Sequence, residues 1–242
     1  MADSGATATN RLAPVELNER EAARLLDKWR GTTQFIARMD AISARFLGLP
    51  YLENSLGGGP REQEALRLPL VGFDCVTYME IVLGFAMARS VEDFIDAVCH
   101  LRYADGEVDW YHRNHYMYDW AKLNAARGAI QNITEGPDAV RITRLLALIN
   151  GLPAKLATFN CFPKRKLARV RNRIATGDLI FFASTRKSLD VFHTGILIKT
   201  DKEMLLRHAT RRAGQVIEQP LKEFLAAHRM AGFILLRPLC HP

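Results

Sequence analysis

The chain has 242 residues, of which 48% are hydrophobic and 24% charged, an ordinary composition for a globular protein with a substantial core. Its 33 Lys and Arg against 26 Asp and Glu give a formal charge of +7, but the basic residues are scattered and lack interleaved aromatics, so we expect no nucleic-acid partner. No apolar run is long enough to span a membrane, and the four cysteines are spaced too widely for a disulfide framework or a zinc ribbon.

The start of the chain differs from the rest in composition. Residues 1–14 are small and polar, which predicts a flexible tail and not a secretion signal. No repeat or low-complexity linker interrupts residues 15–242, so we interpret them as one domain and expect a monomer without stable membrane insertion. The compartment stays open between the periplasm or cell envelope, if a signal has been removed, and the cytoplasm or secretion as an effector.

The first half of the chain is predicted to be helical. Asn18 and Glu21 form a capping pair for a helix ending near Trp29, and apolar spacing predicts a second helix over 33–47. The segment 48–69 is a long loop, of a length that is usually functional, and its three consecutive glycines suggest a flexible lid. Further helices are predicted at 75 to about 89, from Ser90 to about His100, at 115–127 and at 137–150.

The second half changes to the pattern of short strands. Aliphatic and aromatic runs predict strands at 178–183, 193–200, 203–210, 215–219 and 233–237, with a short helix opened by Pro220. Helices followed by antiparallel strands indicate an α+β fold.

Cys75 is the most informative single residue. It follows a loop, begins a helix that is apolar on nearly every face, and is preceded by Asp74 as a predicted N-cap. A helix N-terminus lowers the pKa of a thiol, and its free N–H groups can hold an oxyanion. The alternative is a buried cysteine that serves only as a small apolar side chain.

Two histidines on neighbouring predicted strands support the catalytic interpretation. His193 opens one strand, with Gly195 two residues later, and His208 lies on the next strand across a predicted tight turn at Asp201-Lys202. If the turn has an even number of residues, the two side chains point to the same face, opposed or one diagonal step apart. That placement suits a base and the group that orients it; the alternative is a pair of histidines at a sheet edge.

The segment Gly72-Phe73-Asp74-Cys75-Val76-Thr77-Tyr78-Met79-Glu80 resembles the nucleophile motif of the N-acetylmuramoyl-L-alanine amidase-like family, within the NlpC-type, papain-like cysteine peptidase superfamily. The resemblance spans about residues 35–240. Other blocks similar to the family occur in the same order, at 51–60, 101–106, 113–116, 176–180, 189–195 and 206–209.

The resemblance implies a papain-like, NlpC-type core in which the C-terminal antiparallel sheet packs on the buried nucleophile helix, with extra N-terminal and middle helices. It implies Cys75 as nucleophile, His193 as general base and acid, and His208 as the orienting third residue. The implied substrate is a muropeptide or peptidoglycan fragment, cut between the lactyl group of N-acetylmuramic acid, with or without its anhydro ring, and L-Ala. No metal or organic cofactor is required.

Further residues are candidates for substrate binding. The family resemblance favours recognition of sugar or carboxylate groups by a polar stretch, Arg113, Asn114, His115 and Tyr116. Tyr51 and Asp74 are further candidates, although a core tyrosine and a helix cap would explain them equally. Cys99, His100, His112 and His115 match no zinc spacing, so we expect no metal.

Two other functions fit the same residues. One is a papain-like endopeptidase that cuts within the stem peptide after D-Glu, and the other is a non-catalytic module that binds the cell wall. The first would differ only in its substrate loops, around 51–60 and 103–118. The second is disfavoured by the complete set of Cys75, His193 and His208.

Overall fold

The computed structural model describes residues 13–32 and 34–239, so most of the predicted tail and Cys240 lie outside the described residues. These residues form a mixed α/β fold with two antiparallel sheets and one short, two-stranded parallel sheet. The helices are α1 Glu19–Trp29, α2 Phe35–Arg45, α3 Cys75–Met87, α4 Val91–Arg102, α5 Met117–Ala126, α6 Leu167–Val170 and α7 Leu221–Ala227. The strands are β1 Val15–Glu16, β2 Leu66–Arg67, β3 Ile130–Asn132, β4 Val140–Leu146, β5 Lys155–Cys161, β6 Leu179–Ala183, β7 Val191–Lys199, β8 Met204–Thr210, β9 Gln215–Pro220 and β10 Gly232–Pro238.

A six-stranded sheet with the order β3-β10-β6-β7-β8-β9 forms the centre of the fold. Its strand pairs are antiparallel, and the five strands predicted from the second half of the sequence all lie in it. Alternate residues of β6 face opposite layers, with Phe181 in the core that contains α3 and Phe182 in the core beneath α7. Because both faces are covered, every residue of β6 is buried.

Helix α3 lies in the layer on one face of this sheet and is buried continuously from Thr77 to Ala86. This burial explains why the segment is apolar around its whole circumference. The exception is Glu80, which accepts hydrogen bonds from Arg102 Nε at 2.8 Å and from Trp120 Nε1 at 3.0 Å. Burial raises the pKa of Glu80, although the Arg102 guanidinium acts in the opposite direction. Glu80 therefore joins α3 to α4 through Arg102 and to α5 through Trp120 inside the core.

The prediction of a helix over 137–150 is wrong, because this segment contains β4. The spacing of its apolar residues is compatible with a helix or a strand. The segment is a strand because β4 pairs with β5 in antiparallel fashion along its whole length. Strands β1, β2, β3 and β5 and helix α6 were not predicted, and β2 lies within the predicted loop 48–69. Helix α1 has the predicted cap and end; the other predicted helices are present with ends shifted by a few residues, and residue 33, the predicted start of α2, lies outside the described residues.

Within the described ranges, no helix is both long enough and apolar enough to cross a bilayer.

The buried Glu80–Arg102 pair gives a test of the core. Replacing Arg102 with Met leaves a buried carboxyl group without its cation, so we expect the free energy of unfolding to fall by about 3–5 kcal/mol. Urea denaturation monitored by circular dichroism measures this change. The control is Arg24→Met in the exposed Arg24–Glu21 pair, which we expect to change stability little. If both variants lose the same small amount of unfolding free energy, the buried pair contributes no more to stability than the exposed pair.

Candidate active site

Cys75 is the first residue of α3. Its position is fixed by the pairing of the segment just before the helix with the loop segment around Tyr51. The backbone N–H of Leu52 donates to Phe73 O, and that of Phe73 donates to Pro50 O, each at 3.0 Å. A side chain at Gly72 would meet Pro50 O at 2.6 Å, so the close approach of the two segments requires glycine. The loop therefore delivers the chain to the start of α3 with little freedom.

Asp74 caps this helix, as the sequence predicts. Its Oδ1 accepts the backbone N–H groups of Val76 at 2.9 Å and Thr77 at 2.8 Å, and Ser55 Oγ donates to its Oδ2 at 2.6 Å. The cap occupies two of the N–H groups that the sequence analysis assigned to an oxyanion. The backbone N–H of Cys75 itself remains as the donor of the first turn nearest the sulfur.

The Cys75 thiol is half-buried. Burial and, second, the neighbouring Asp74 carboxylate raise its pKa to about 12. Hydrogen bonds from the backbone and hydroxyl of Thr194 lower the pKa by less than burial raises it. The expectation of a lowered thiol pKa is therefore wrong, because desolvation and the capping carboxylate outweigh the helix N-terminus.

His193 and His208 lie on the same face of β7 and β8, one diagonal step apart. The register that pairs Ile196 with Arg207 has the odd sum that the sequence predicts. His193 Nε2 and His208 Nδ1 are 2.5 Å apart, with the two rings nearly perpendicular. A side chain at Gly195 would meet Arg207 O at 2.9 Å and His208 Cβ at 3.2 Å, so glycine is what lets the two strands hold this contact.

The surroundings of this pair keep both imidazoles neutral near pH 7. Phe224 of α7 stacks on the His193 ring at a centroid distance of 5.4 Å. Burial, followed by the charges of His208 and His228, lowers the pKa of His193 well below its usual value. Burial, followed by His228, lowers the pKa of His208 to about 4.

Thr194 links the cysteine to the histidine strand. Its hydroxyl donates to the backbone carbonyl of Cys75 at 2.8 Å, which ties the start of α3 to β7. His193 is the adjacent residue on β7, so its side chain lies on the other face of the sheet, in the layer beneath α7, where its ring stacks on Phe182 and Phe224. Within the part of the chain that the structure describes, no hydrogen bond joins the thiol to His193, and neither histidine lines the cleft at Cys75. The structure therefore brings the strand of His193 to Cys75, through Thr194, but does not bring the two side chains together.

A cleft of about 850 Å³ opens at Cys75. Three of the six predicted substrate-binding residues line it: Tyr51, Asp74 and Arg113. Arg113 Nη1 also donates to Gly57 O at 3.0 Å and to Glu64 Oε1 at 2.9 Å, and so holds the glycine-rich loop at the wall of the cleft.

Asn114, His115 and Tyr116 do not line this cleft. They face a separate cavity of about 590 Å³ beside α5, and only Arg113 reaches both spaces. The Tyr116 hydroxyl accepts the backbone N–H groups of Leu148 and Ile149, which indicates a structural role. These three residues are predicted to bind substrate because they belong to one polar stretch with Arg113 that resembles the family, but the chain leads away from the cleft at Cys75 after Arg113.

A third cavity, of about 450 Å³, lies at Asp190 between α5 and the β4–β5 hairpin and is lined by neither Cys75 nor the two histidines. Among the described residues, no three His, Cys, Asp or Glu side chains are grouped so that they could hold a metal ion.

Comparison with known proteins identifies the family. The family model described as N-acetylmuramoyl-L-alanine amidase-like matches residues 41–233, which include Cys75, His193 and His208. The chain belongs to the N-acetylmuramoyl-L-alanine amidase-like family. Membership supports a hydrolase of the peptidoglycan amidase type. No curated protein matches the sequence.

Solved structures of similar fold include a Legionella pneumophila protein of family DUF1460. It is 24% identical, covers 92% of this chain and 96% of its own, and superposes with a TM-score of 0.79. An N-acetylmuramoyl-L-alanine amidase from Bacteroides uniformis is 26% identical over 85% of this chain and 99% of its own, with a TM-score of 0.74. The amidase-like family therefore shares its fold with this chain over most of its length.

Sequence reasoning missed four residues around the site: Ser55, Glu64, Thr194 and Gln219. Ser55 and Glu64 lie in the long loop and act through partners distant in sequence, Asp74 and Arg113. Strand alternation next to His193 was a usable signal for Thr194, since it must face the layer that contains α3. Gln219 lies on β9 with its Nε2 2.9 Å from His208 Nε2, and only the register of β8 with β9 reveals it.

The lowered pKa of His208 predicts a loss of stability in acid. An imidazole with a lower pKa folded than unfolded stabilises the protein fully above about pH 6.5, because below that pH the unfolded chain takes up protons first. As the pH falls from about 6.5 to the folded pKa of about 4, His208 should therefore lower the free energy of unfolding by about 3 kcal/mol. Urea denaturation from pH 7.5 to 4.5 should give a shallower pH dependence for His208→Asn than for wild type. The exposed His100→Asn serves as the control, and equal slopes for all three proteins would contradict the assignment.

Proposed function

We propose that this protein is a cysteine amidase that hydrolyses the bond between the lactyl group of N-acetylmuramic acid, with or without the anhydro ring, and L-Ala in peptidoglycan fragments. The single observation that carries the proposal is the joining of the start of α3 to β7 by the Thr194–Cys75 hydrogen bond, in a chain of the amidase-like family. This bond holds a thiol in an open cleft beside the strand that carries His193.

We also propose that the core is the papain-like, NlpC type. A buried helix that begins with the candidate nucleophile, packed on an antiparallel sheet that carries the candidate base, supports this assignment. In this arrangement His208 is the third residue, because its hydrogen bond to Nε2 orients the His193 ring.

The reaction starts from a neutral thiol and a neutral imidazole. In the reacting complex the thiol must meet His193 Nδ1, although in this structure the His193 ring stacks on Phe224 in the layer beneath α7 and Cys75 begins the helix on the other face of the sheet. His193 Nδ1 takes the thiol proton as the sulfur attacks the lactyl carbonyl carbon. His193 then protonates the L-Ala nitrogen as the C–N bond breaks, leaving a lactyl thioester on Cys75 and releasing the stem peptide. A water molecule gives a proton to His193 and attacks the thioester, which releases the muramic acid carboxylate and restores the thiol.

The oxyanion formed in both steps needs donors near the sulfur. The backbone N–H of Cys75 is one, because those of Val76 and Thr77 already bind Asp74. Tyr51 is the second proposed donor. Its phenol lines the cleft, and burial followed by the nearby Cys75 raises its pKa, so it keeps its proton.

The arginines of the cleft are the groups that could bind the carboxylates of a stem peptide, although Glu53, Glu62 and Asp74 line the same cleft. Arg67, Arg113 and Arg211 all line it, although each has an acidic partner within the protein. We propose that Arg113 contributes mainly by holding the loop at Gly57, since its guanidinium is already bound to Glu64.

The first test is incubation with GlcNAc-anhydroMurNAc-tetrapeptide followed by mass spectrometry. Wild type should release free disaccharide and intact tetrapeptide, and Cys75→Ala should lower the rate by roughly 10⁴-fold or more because no nucleophile remains. Cys161→Ala, which changes a buried cysteine outside the cleft, is the matched control. Cleavage inside the peptide would instead indicate an endopeptidase. Tight binding without turnover, unchanged by Cys75→Ala, would indicate a wall-binding module.

The pH dependence of kcat/KM tests the neutral pair. Because His193 must be unprotonated and its pKa is lowered, the acid limb should lie below pH 6.5. Because the thiol pKa is raised to about 12, no second limb is expected between pH 7 and 10. Rates of muropeptide hydrolysis between pH 4 and 10 measure both. A limb near pH 8–9 would show that the thiol ionises like an ordinary cysteine and would contradict this starting state.

A further inference from the structure

Gln219 extends the histidine pair into a row of three side chains. It lies on β9, paired with Leu206, and its carboxamide nitrogen is 2.9 Å from His208 Nε2. His208 Nδ1 in turn lies 2.5 Å from His193 Nε2. Each of these nitrogens must therefore be either donor or acceptor according to its neighbour, and one choice fixes all the others.

The carboxamide orientation in the structure gives one assignment. An NH₂ group only donates, so His208 Nε2 accepts and the His208 proton sits on Nδ1. That proton is donated to His193 Nε2, which places the single proton of a neutral His193 on Nδ1. In this state the nitrogen that is free to meet the thiol already carries a proton and cannot act as a base.

The opposite carboxamide orientation gives the opposite assignment. When the Gln219 oxygen faces His208, it accepts a proton from Nε2, and His208 Nδ1 is left to accept from His193 Nε2–H. His193 Nδ1 then has a free lone pair. The two ends of a carboxamide have nearly the same size, so rotation about the last side-chain bond exchanges them. Among the described residues, the Gln219 side chain makes no second hydrogen bond that would prevent this rotation.

We propose that Gln219 is a positioning residue that sets which nitrogen of His193 carries the proton, and that in the working enzyme its carboxamide oxygen faces His208. The proposal rests on the proposed role of His193 as base. When Nδ1 takes the thiol proton, the imidazolium already donates through Nε2 to His208, and His208 donates to Gln219. No hydrogen bond in the row has to reverse during the reaction.

Three substitutions of Gln219 separate this role from simple packing. Gln219→Glu supplies only an acceptor and should retain most of kcat, whereas Gln219→Lys supplies only a donor and should lower kcat by about 100-fold or more, the effect of a wrong tautomer. Gln219→Met supplies neither a donor nor an acceptor and should lower kcat by about 10-fold, an effect between those of the other two variants. KM should change little, because Gln219 does not line the cleft at Cys75.

The matched control for the added charge is Gln131→Lys, an exposed glutamine on β3 at the other edge of the same sheet, which should keep wild-type kcat. Thermal unfolding of each variant separates loss of fold from loss of the tautomer. Gln219→Lys with wild-type kcat, or equal losses in Gln219→Glu and Gln219→Lys, would overturn the proposal.

A second readout needs no substrate. Long-range ¹H–¹⁵N correlation spectra of the ¹⁵N-histidine-labelled protein report which ring nitrogen of each histidine is protonated. We expect His193 and His208 both to be protonated at Nε2 in wild type and Gln219→Glu, and both at Nδ1 in Gln219→Lys. Identical tautomers in all three proteins would overturn the proposal. If the tautomers change as expected but wild type hydrolyses no muropeptide, the proposed function fails while the role of Gln219 in the row stands.

Discussion

The hydrogen bond from the Thr194 hydroxyl to the Cys75 carbonyl connects the two halves of this protein, the helical N-terminal part and the C-terminal sheet. Helix α3 is buried from Thr77 to Ala86, so it cannot slide or roll against the sheet without disrupting core contacts. The bond to β7 fixes the end of the helix that carries the thiol. The position of Cys75 relative to β7 is therefore set by packing along the whole helix together with the loop hydrogen bonds at Phe73.

The chemistry of the site follows from the same packing. A helix N-terminus favours a thiolate, but here Asp74 already occupies the N–H groups of Val76 and Thr77 and adds a negative charge. Desolvation acts in the same direction, so the thiol holds its proton. The histidines also remain neutral because they are surrounded by aromatic rings such as Phe224. Cys75 and the two histidines are thus uncharged near neutral pH.

Local patterns in the sequence were enough to predict the central strands, α3 and its Asp74 cap, because each depends on residues close together in the chain. The odd register sum also placed His193 and His208 on one face. Strand β4 was mistaken for a helix because its pairing partner β5 lies beyond an intervening loop. The thiol pKa was misjudged for a similar reason: burial depends on the tertiary structure, whereas the helix N-terminus is visible in the sequence.

The proton on Cys75 also affects how easily its sulfur is oxidised. Peroxides and other oxidants react with thiolates, and the first product, a sulfenic acid, can proceed to irreversible acids. At a pKa of about 12, only a very small fraction of the Cys75 sulfur is ionised near neutral pH. The desolvation that keeps the proton on Cys75 therefore also protects its sulfur from oxidative damage.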